Sequence, residues 1–219
     1  MATADAVTIL RQTPLVTALH TRIRDQNASR HTVRRPRRPR PHRRPPPAPA
    51  LQFVTQSDRL VRLLVEEAMG LLPATPKRVE TPCGVYEGCA LPSEDELCAV
   101  SIMRAADCMV SACRSVMPDV PIGKILIQRD ETTALPKFSY AKLPPNVANM
   151  HVLLLDPMLA TGGSATMAIR CLVEAGVPPS NIIFINVVCC QRGLDVLHGA
   201  YPQARGSCEH PPSSFGACA

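Results

Sequence analysis

Hydrophobic residues follow two patterns that alternate along this chain. Continuous apolar runs predict strands buried on both faces, whereas apolar residues three or four positions apart predict amphipathic helices. The predicted strands are residues 97–103, 124–127, 152–155 and 181–188; the predicted helices are one beginning after Ser57, one at 106–117, one from Ser164 to a stop at Gly176, and a short one through Leu194, Leu197 and His198. The alternation predicts an α/β fold, a mainly parallel sheet flanked by helices, with functional sites at the carboxyl ends of the strands.

The strand predicted at 152–155 leads into the most informative stretch of the sequence. Asp156 follows the strand, then comes a turn of small residues, and a helix begins at Ser164, its predicted N-cap. A phosphate at this turn would meet unpaired backbone N–H groups and the positive end of the helix dipole. Gly162 and Gly163 would let the main chain approach it closely. The alternative is a tight turn that only closes the strand onto the helix.

A carboxylate beside this turn predicts a sugar phosphate as the ligand, because Asp156 could accept charge-assisted hydrogen bonds from sugar hydroxyls. The turn has neither the Gly-Lys-Ser/Thr ending of a P-loop nor the G-x-G-x-x-G of dinucleotide-binding folds, which argues against ATP hydrolysis and NAD chemistry. Arg104 and the segment 128–130 follow two other predicted strands, so the three polar groups should share one rim of the sheet. Arginines there, Arg104 and Arg129, suit a ligand with several phosphate oxygens, whereas Lys124 is assigned a structural or peripheral role.

Length and composition indicate one folded domain. The chain has 219 residues, 46% of them hydrophobic, which is enough for an α/β domain with its own core. No apolar run approaches the roughly 18 residues of a membrane-spanning helix, and the first ten residues lack the charged start and apolar block of a secretory signal. We therefore expect a cytosolic (cytoplasmic) protein that does not contact a membrane.

The ten cysteines are scattered among apolar segments and include no Cys-x-x-Cys pair, so neither a disulfide framework nor a zinc site is predicted. The histidines stand near no cluster of suitable ligands either. We interpret five cysteines as small buried thiols: Cys108, Cys113, Cys171, Cys189 and Cys190. No metal site built from protein side chains is predicted.

Positive charge is concentrated in one segment. Residues 31–50 contain seven arginines, seven prolines and no acidic residue, whereas the other 17 lysines and arginines nearly balance 18 acidic residues in a chain of net charge +6. The prolines prevent a regular helix and the like charges repel, which predicts a disordered insertion. Three interpretations stay open: an insertion or gene-model artefact, a contact with an anionic surface such as nucleic acid, and part of an organelle transit peptide. The lack of interleaved aromatic residues argues against nucleic-acid binding.

The string from Asp156 to Ser164, DPMLATGGS, resembles the phosphoribosyl-pyrophosphate (PRPP) motif of the uracil phosphoribosyltransferase family. Its Asp156-Pro157 pair is typical of the uracil type, whereas many related phosphoribosyltransferases have two acidic residues at this strand tip. Further segments resemble the family in the same order, namely TRIRD at 21–25, DRLVRLLVEEA at 58–68, SIMRA at 101–105 and GKILIQRDET at 123–132. The resemblance covers residues 14–30 and 51–205 and implies a phosphoribosyltransferase-like (Rossmann-like) core.

The resemblance also suggests how the chain is organised. Four parts are expected: residues 1–30 as the N-terminal segment of the catalytic domain, 31–50 as the Arg/Pro-rich insertion, 51–206 as the phosphoribosyltransferase domain, and 207–219 as a divergent C-terminal tail.

The implied activity belongs to pyrimidine salvage: PRPP and uracil give UMP and pyrophosphate. The implied catalytic residues are Asp156, Arg104 and Arg129. Asp156 would contact the ribose hydroxyls, the arginines would bind pyrophosphate, and residues 160–164 would hold the 5′-phosphate. The implied PRPP-binding residues are Arg104, Arg129, Asp156, Pro157, Met158, Leu159, Ala160, Thr161, Gly162, Gly163 and Ser164. The expected cofactor is Mg²⁺, carried mainly by PRPP.

The resemblance ends near the C-terminus. Family members continue after the region of residues 201–202 with another strand and a Tyr-Ile-x-Pro-Gly-x-Gly-Asp segment whose backbone recognises uracil, whereas this chain reads SCEHPPSSFG at 207–216. The uracil-binding residues are therefore not identified. Ala106 also replaces a glycine that is usual in the family, and a positive φ at this position would cost on the order of 1 kcal/mol.

Three hypotheses follow for the function of this chain. The first is an active uracil phosphoribosyltransferase homologue. The second is a catalytically impaired PRPP- or nucleotide-binding homologue that lacks base recognition. The third is an arginine-mediated nucleic-acid binder on a degenerate enzyme scaffold. The resemblance further implies a homo-oligomer and a nucleotide effector such as GTP.

Overall fold

The computed structural model describes residues 7–25, 49–130 and 136–208. Most of the predicted insertion at 31–50 and of the predicted tail at 207–219 lies outside these ranges, so their predicted character stays a prediction.

The described residues form strands and helices in the predicted alternation. The strands are β1 (Val7–Ile9), β2 (Thr75–Thr81), β3 (Gly84–Ala90), β4 (Leu97–Met103), β5 (Ile122–Arg129), β6 (Pro136–Lys142), β7 (His151–Leu155), β8 (Met158–Leu159), β9 (Ile182–Asn186), β10 (Val188–Cys189) and β11 (Arg205–Cys208). The helices are α1 (Pro14–Arg24), α2 (Pro49–Met69), α3 (Asp107–Val116), α4 (Gly163–Glu174) and α5 (Gln191–Ala200), with short 3-10 turns at Glu94–Glu96, Val147–Asn149 and Pro179–Asn181.

Seven strands form the main sheet, in the order β1-β11-β9-β7-β4-β5-β6. Every neighbouring pair in it is parallel except β5 and β6, which are antiparallel. Strands β8 and β10 form a small parallel sheet, and β2 and β3 form an antiparallel hairpin. The predicted fold class, a mainly parallel sheet flanked by helices, is confirmed.

Helices cover both faces of the sheet, which explains why its central strands are continuously apolar. Leu153 and Leu155 of β7 belong to the core cluster formed with α1, α2 and α3, whereas Val152 and Leu154 belong to the cluster formed with α4 and α5. All four side chains are 0% exposed. Successive side chains of a strand point to opposite faces, so burial on both faces removes the alternation with polar residues.

Three predicted elements have different bounds in the structure. Strand β5 spans Ile122–Arg129 rather than 124–127. Helix α2 begins at Pro49 rather than after Ser57. Phe53 and Val54 are exposed, whereas the buried apolar side chains described in this helix begin at Leu60, so the apolar pattern marks only the later turns. The strand predicted at 181–188 ends at Asn186, because the N–H groups of Val187 and Val188 both donate to the carbonyl of Pro157.

The hairpin of β2 and β3 is an element that the hydrophobic pattern does not predict. Every residue of β2 is exposed, as are most residues of β3. Because neither face of the hairpin is buried, its sequence has no alternation of apolar and polar positions. The exposed apolar side chains there include Val79, Val85 and Tyr86.

Candidate active site

Three neighbouring strands end at the candidate site. Strands β7, β4 and β5 are adjacent and parallel in the sheet, so their carboxyl ends lie along one edge. Asp156 follows β7, Arg104 follows β4, and Arg129 is the last residue of β5. The fold therefore brings together the three chain segments that the sequence pattern assigned to one rim.

The turn after β7 is more elaborate than a simple strand-to-helix connection. Its residues Met158 and Leu159 form β8, which pairs with β10. Helix α4 then begins at Gly163, and Gly162 rather than Ser164 is its N-cap. Gly162 has a φ of +81°, and a Cβ there would lie 2.9 Å from the carbonyl oxygen of Gly193. A glycine is therefore required at this position both by backbone conformation and by space.

The other end of α4 agrees with the sequence pattern. Gly176, predicted to stop the helix, has a φ of +93° and follows the C-cap residue Ala175. Its N–H donates to the carbonyl of Val173 at 2.9 Å, which is typical of a helix that ends in a left-handed glycine.

A cleft of about 240 Å³ opens over the turn after β7. It is lined by residues 156–165 together with Ile102, Met103, Ala105 and Ile127, so all nine motif residues from Asp156 to Ser164 contribute to its wall. The N-terminal end of α4 thus opens into the cleft. The first N–H groups of a helix have no acceptor within the helix, and the helix dipole favours an anion at that end.

A second cleft, of about 480 Å³, adjoins the first, because Met103 and Ile127 line both. Its remaining wall consists of Arg104, Leu126, Gln128, Asp130 and Lys137. Arg104 is exposed, and Lys137 is a cationic residue that the sequence pattern had not singled out. The backbone of Arg129 pairs with Pro136 of β6. The two adjoining clefts therefore combine a helix N-terminus with cationic side chains, an arrangement that suits a ligand with two separate anionic groups.

Comparison with known proteins decides the family. The family model described as UPRTase, uracil phosphoribosyltransferase, matches residues 44–208. This chain belongs to the uracil phosphoribosyltransferase family. It is 49% identical to the uracil phosphoribosyltransferase of Dictyostelium discoideum over 154 residues, which are 70% of each chain. It is 42% identical to that of Saccharomyces cerevisiae over 200 residues, which are 91% of this chain and 82% of the yeast protein. The resemblance inferred from the motifs is confirmed.

A solved structure supports the fold of this family member. The adenine phosphoribosyltransferase of Trypanosoma brucei, determined in complex with AMP, pyrophosphate and ribose-5-phosphate, superposes with a TM-score of 0.57 at 13% identity, covering 100% of this chain and 95% of the other. The core is thus the type I phosphoribosyltransferase fold, as the resemblance implied. Together with the family match, it makes this chain an enzyme of the transferase class.

A small polar cluster lies beside the Arg104 turn of this uracil phosphoribosyltransferase family member, and its carboxylate, Asp107, is in none of the motif segments. Asp107, the first residue of α3, accepts a hydrogen bond from Ser101 Oγ of β4. Lys124 Nζ of β5 lies 3.4 Å from the same carboxylate oxygen, which agrees with the structural role expected for Lys124. The signal in the sequence is a single serine, Ser101, within an otherwise apolar strand.

Ala106, which replaces a glycine usual in the family, does not strain the Arg104 turn. Ala106 has a φ of −77° and is fully buried. The cost expected for a positive φ at this position therefore does not arise.

Helix α5 packs directly on the turn after β7 that carries the family motif. A Cβ at Gly193 would lie 2.7 Å from the carbonyl oxygen of Ala160. The sequence pattern gave Gly193 no role, although a glycine inside a predicted helix often has a packing reason.

The buried thiols behave as apolar residues. Burial raises the pKa of the Cys98 thiol to about 11 and that of Cys113 to about 12, so both are protonated at neutral pH and are poor nucleophiles. The sulfur atoms of Cys189 and Cys208 lie 2.8 Å apart. Their hydrogen bond raises the pKa of Cys189, and burial raises it further.

The prediction of buried thiols is correct for three of the five cysteines. Cys113, Cys189 and Cys190 are buried, whereas Cys171 is only partly buried. For Cys108 the prediction is wrong, because this residue is exposed on the solvent side of α3, where its Sγ donates to the carbonyl of Ala105 at 3.1 Å.

Within residues 7–25, 49–130 and 136–208, no group of three or more His, Cys, Asp or Glu side chains could hold a metal ion. None of the helices in these ranges is both long enough and apolar enough to cross a membrane.

Proposed function

We propose that this protein transfers the phosphoribosyl group of PRPP to uracil, giving UMP and pyrophosphate. The observation that carries the proposal is the adjacency of the ends of β7, β4 and β5, which sets the Asp156 turn beside the Arg104 turn in a chain of the uracil phosphoribosyltransferase family. PRPP carries anionic groups at both ends of its sugar, and the two adjoining clefts offer a separate site for each.

Each part of PRPP has a counterpart in these clefts. The backbone N–H groups of residues 160–164, at the start of α4, bind the 5′-phosphate. Asp156, which lines the same cleft, accepts hydrogen bonds from the ribose hydroxyls. Arg104, from the adjoining cleft, and Arg129, at the end of β5, bind the pyrophosphate. The remaining motif residues shape the wall of the first cleft.

The reaction requires the protein to orient PRPP and uracil and to stabilise the charge that develops on pyrophosphate. A bond forms between N1 of uracil and C1 of the ribose while the bond from that carbon to a pyrophosphate oxygen breaks. The N1 proton is lost, and pyrophosphate leaves with the bonding electrons. The ribose becomes positively charged on the way and the leaving group becomes more negative, so arginines beside the pyrophosphate stabilise the transition state. No covalent intermediate with the protein is needed.

The expected cofactor, Mg²⁺, fits the residues present at the rim. Mg²⁺ in such sites is bound by one or two carboxylates together with substrate phosphates, and it retains several waters. Asp156 lines the first cleft and Asp130 the second, so these two carboxylates would be the protein groups beside an ion that arrives with PRPP. The ion would neutralise part of the pyrophosphate charge.

Recognition of uracil is proposed to depend on the segment after β11. Strand β11 lies after residues 201–202, where family members are expected to have an additional strand. The base-recognition segment of family members follows that strand, and here residues 209–219 lie outside the described ranges. No uracil-binding residue is therefore assigned. The homo-oligomer, the nucleotide effector such as GTP and the cytosolic location stay predictions.

The direct test is to incubate the purified protein with radiolabelled uracil, PRPP and Mg²⁺ and to separate the products. We expect labelled UMP, and no AMP when labelled adenine replaces uracil. Calorimetry with PRPP separates the alternatives: PRPP binding without UMP formation would favour the impaired PRPP-binding homologue, and absence of both would overturn the proposal. The nucleic-acid hypothesis predicts binding that is lost when residues 31–50 are deleted, and it fails if the full chain binds none.

A further inference from the structure

The carbonyl groups in the middle of the phosphate-binding turn point toward the beginning of α5. The carbonyl of Leu159 accepts a hydrogen bond from the backbone N–H of Cys190 at 2.9 Å. The carbonyl of Ala160 accepts a hydrogen bond from the Cys190 thiol at 2.6 Å. A single residue thus holds two successive carbonyl groups of the turn.

Holding these carbonyls also fixes the direction of two N–H groups. In a planar trans peptide, the N–H points opposite to the C=O of the same unit. The Leu159 carbonyl shares its peptide with the N–H of Ala160, and the Ala160 carbonyl shares its peptide with the N–H of Thr161. Both N–H groups therefore point away from α5. Ala160 and Thr161 line the first cleft, whereas the described lining of that cleft includes no residue of α5.

The close approach of α5 to the turn depends on Gly193. A Cβ at this position would lie 2.7 Å from the carbonyl oxygen of Ala160, 3.1 Å from that of Leu159 and 2.9 Å from the Leu159 side chain. Since two of these atoms belong to the backbone, they could not rotate away, and the turn itself would have to move. Gly199 in the same helix has no atom within 4 Å of its Cβ position, so it offers a matched control.

We propose that Cys190 and Gly193 are positioning residues for the phosphate-binding turn. Cys190 holds the carbonyls of Leu159 and Ala160 on the side of α5, and Gly193 allows the helix to approach closely enough for these hydrogen bonds to form. The N–H groups of Ala160 and Thr161 are thereby directed into the cleft, toward the 5′-phosphate. This inference rests on the function proposed above, because it concerns how the turn binds that phosphate.

The Gly193→Ala and Gly199→Ala variants test the proposal. Both replacements raise helix propensity by a similar amount, so a general effect on α5 would be shared. We expect Gly193→Ala to weaken binding of ribose 5-phosphate at least about tenfold, the equivalent of about 1.4 kcal/mol, and to raise the KM for PRPP similarly. Binding of pyrophosphate should change less than about twofold in Gly193→Ala, because the second cleft is not touched, and Gly199→Ala should resemble the wild type in every assay.

A second pair of variants covers the case that Gly193→Ala does not fold. Cys190→Ala removes the thiol donor and should weaken ribose 5-phosphate binding, whereas Cys190→Ser supplies a hydroxyl donor and should restore much of it. Calorimetric titration of the wild type with PRPP distinguishes a failure of the proposed function from a failure of the positioning role. If the wild type binds no PRPP, the proposed function fails. If the wild type binds PRPP and neither Gly193→Ala nor Cys190→Ala alters ribose 5-phosphate affinity, the positioning role is overturned.

Discussion

Ser101 donates a hydrogen bond from its hydroxyl to the carboxylate of Asp107, with 2.9 Å between Oγ and Oδ1. Ser101 lies in β4 and is fully buried, and Asp107 is the first residue of α3. The contact therefore spans the turn that contains Arg104. Because Lys124 of β5 lies 3.4 Å from the same oxygen, the turn is tied to two strands at once.

We predict that Asp107→Ala lowers kcat/KM for PRPP by about tenfold or more, because the Arg104 turn loses its connection to β4 and β5 and can no longer hold the guanidinium in place. Asp107→Asn keeps an oxygen that can accept the Ser101 hydrogen bond, so its loss should be smaller. Steady-state kinetics with each substrate varied in turn would measure the effect, which should fall on PRPP rather than on uracil. Asp119→Ala, at an exposed carboxylate before β5, is the control. Equal losses for PRPP and uracil would contradict a role in positioning Arg104.

Arg104 is exposed in the second cleft, where we place the pyrophosphate. We predict that Arg104→Ala lowers kcat by about 10²- to 10³-fold, the range typical of removing one transition-state donor, and weakens pyrophosphate binding. Arg104→Lys should recover only part of this activity, since an ammonium group cannot form the paired hydrogen bonds of a guanidinium. Product-inhibition kinetics with pyrophosphate would measure its binding. Arg114→Ala, at the exposed end of α3, should be unaffected, and unchanged pyrophosphate inhibition in Arg104→Ala would remove this residue from the site.

Two strands that position the site, β4 and β7, are the elements that the sequence predicts best. Strand β4 has the predicted bounds, and β7 differs by a single residue, because burial on both faces leaves an apolar run, interrupted in β4 only by Ser101. The placement of Arg104 and Asp156 at one edge then follows from the parallel sheet. By contrast, the exposed hairpin of β2 and β3 buries no face, so no hydrophobic pattern marks it.

Contacts between distant segments could not be predicted. The approach of Gly193 to Ala160 and the hydrogen bond from Cys190 to the same carbonyl join residues about thirty positions apart, and each depends on how α5 packs against the turn. Local propensity contains no information on such packing. The N-cap of α4 illustrates the same limit. Serine is a preferred N-cap residue type, which favours Ser164, but the backbone at the observed N-cap is left-handed and has no space for a Cβ, so Gly162 occupies that position.

The pKa of Cys98 leads to a prediction at alkaline pH. Burial raises this pKa from its usual 9.0 to about 11, although a backbone hydrogen bond from Gly123 opposes the shift. Below pH 9 the thiol is protonated in both the folded and the unfolded state, and the stability that it contributes is fully present. Between pH 9 and 11 the unfolded state loses the proton while the folded state keeps it. Folding then becomes less favourable by at most about 1.4 kcal/mol for each pH unit.

We therefore expect the free energy of unfolding, measured by urea denaturation in the presence of a reductant, to fall more steeply with pH above 9 in the wild type than in Cys98→Ala. The substitution leaves a cavity and lowers stability at every pH, so the comparison concerns the slope and not the level. Cys83→Ala should keep the slope of the wild type, because that thiol is exposed to solvent in the folded state as well as in the unfolded one. If Cys98→Ala and the wild type lose stability in parallel between pH 8 and 11, the buried thiol does not control alkaline unfolding, and Cys113, whose pKa burial raises to about 12, becomes the next residue to replace.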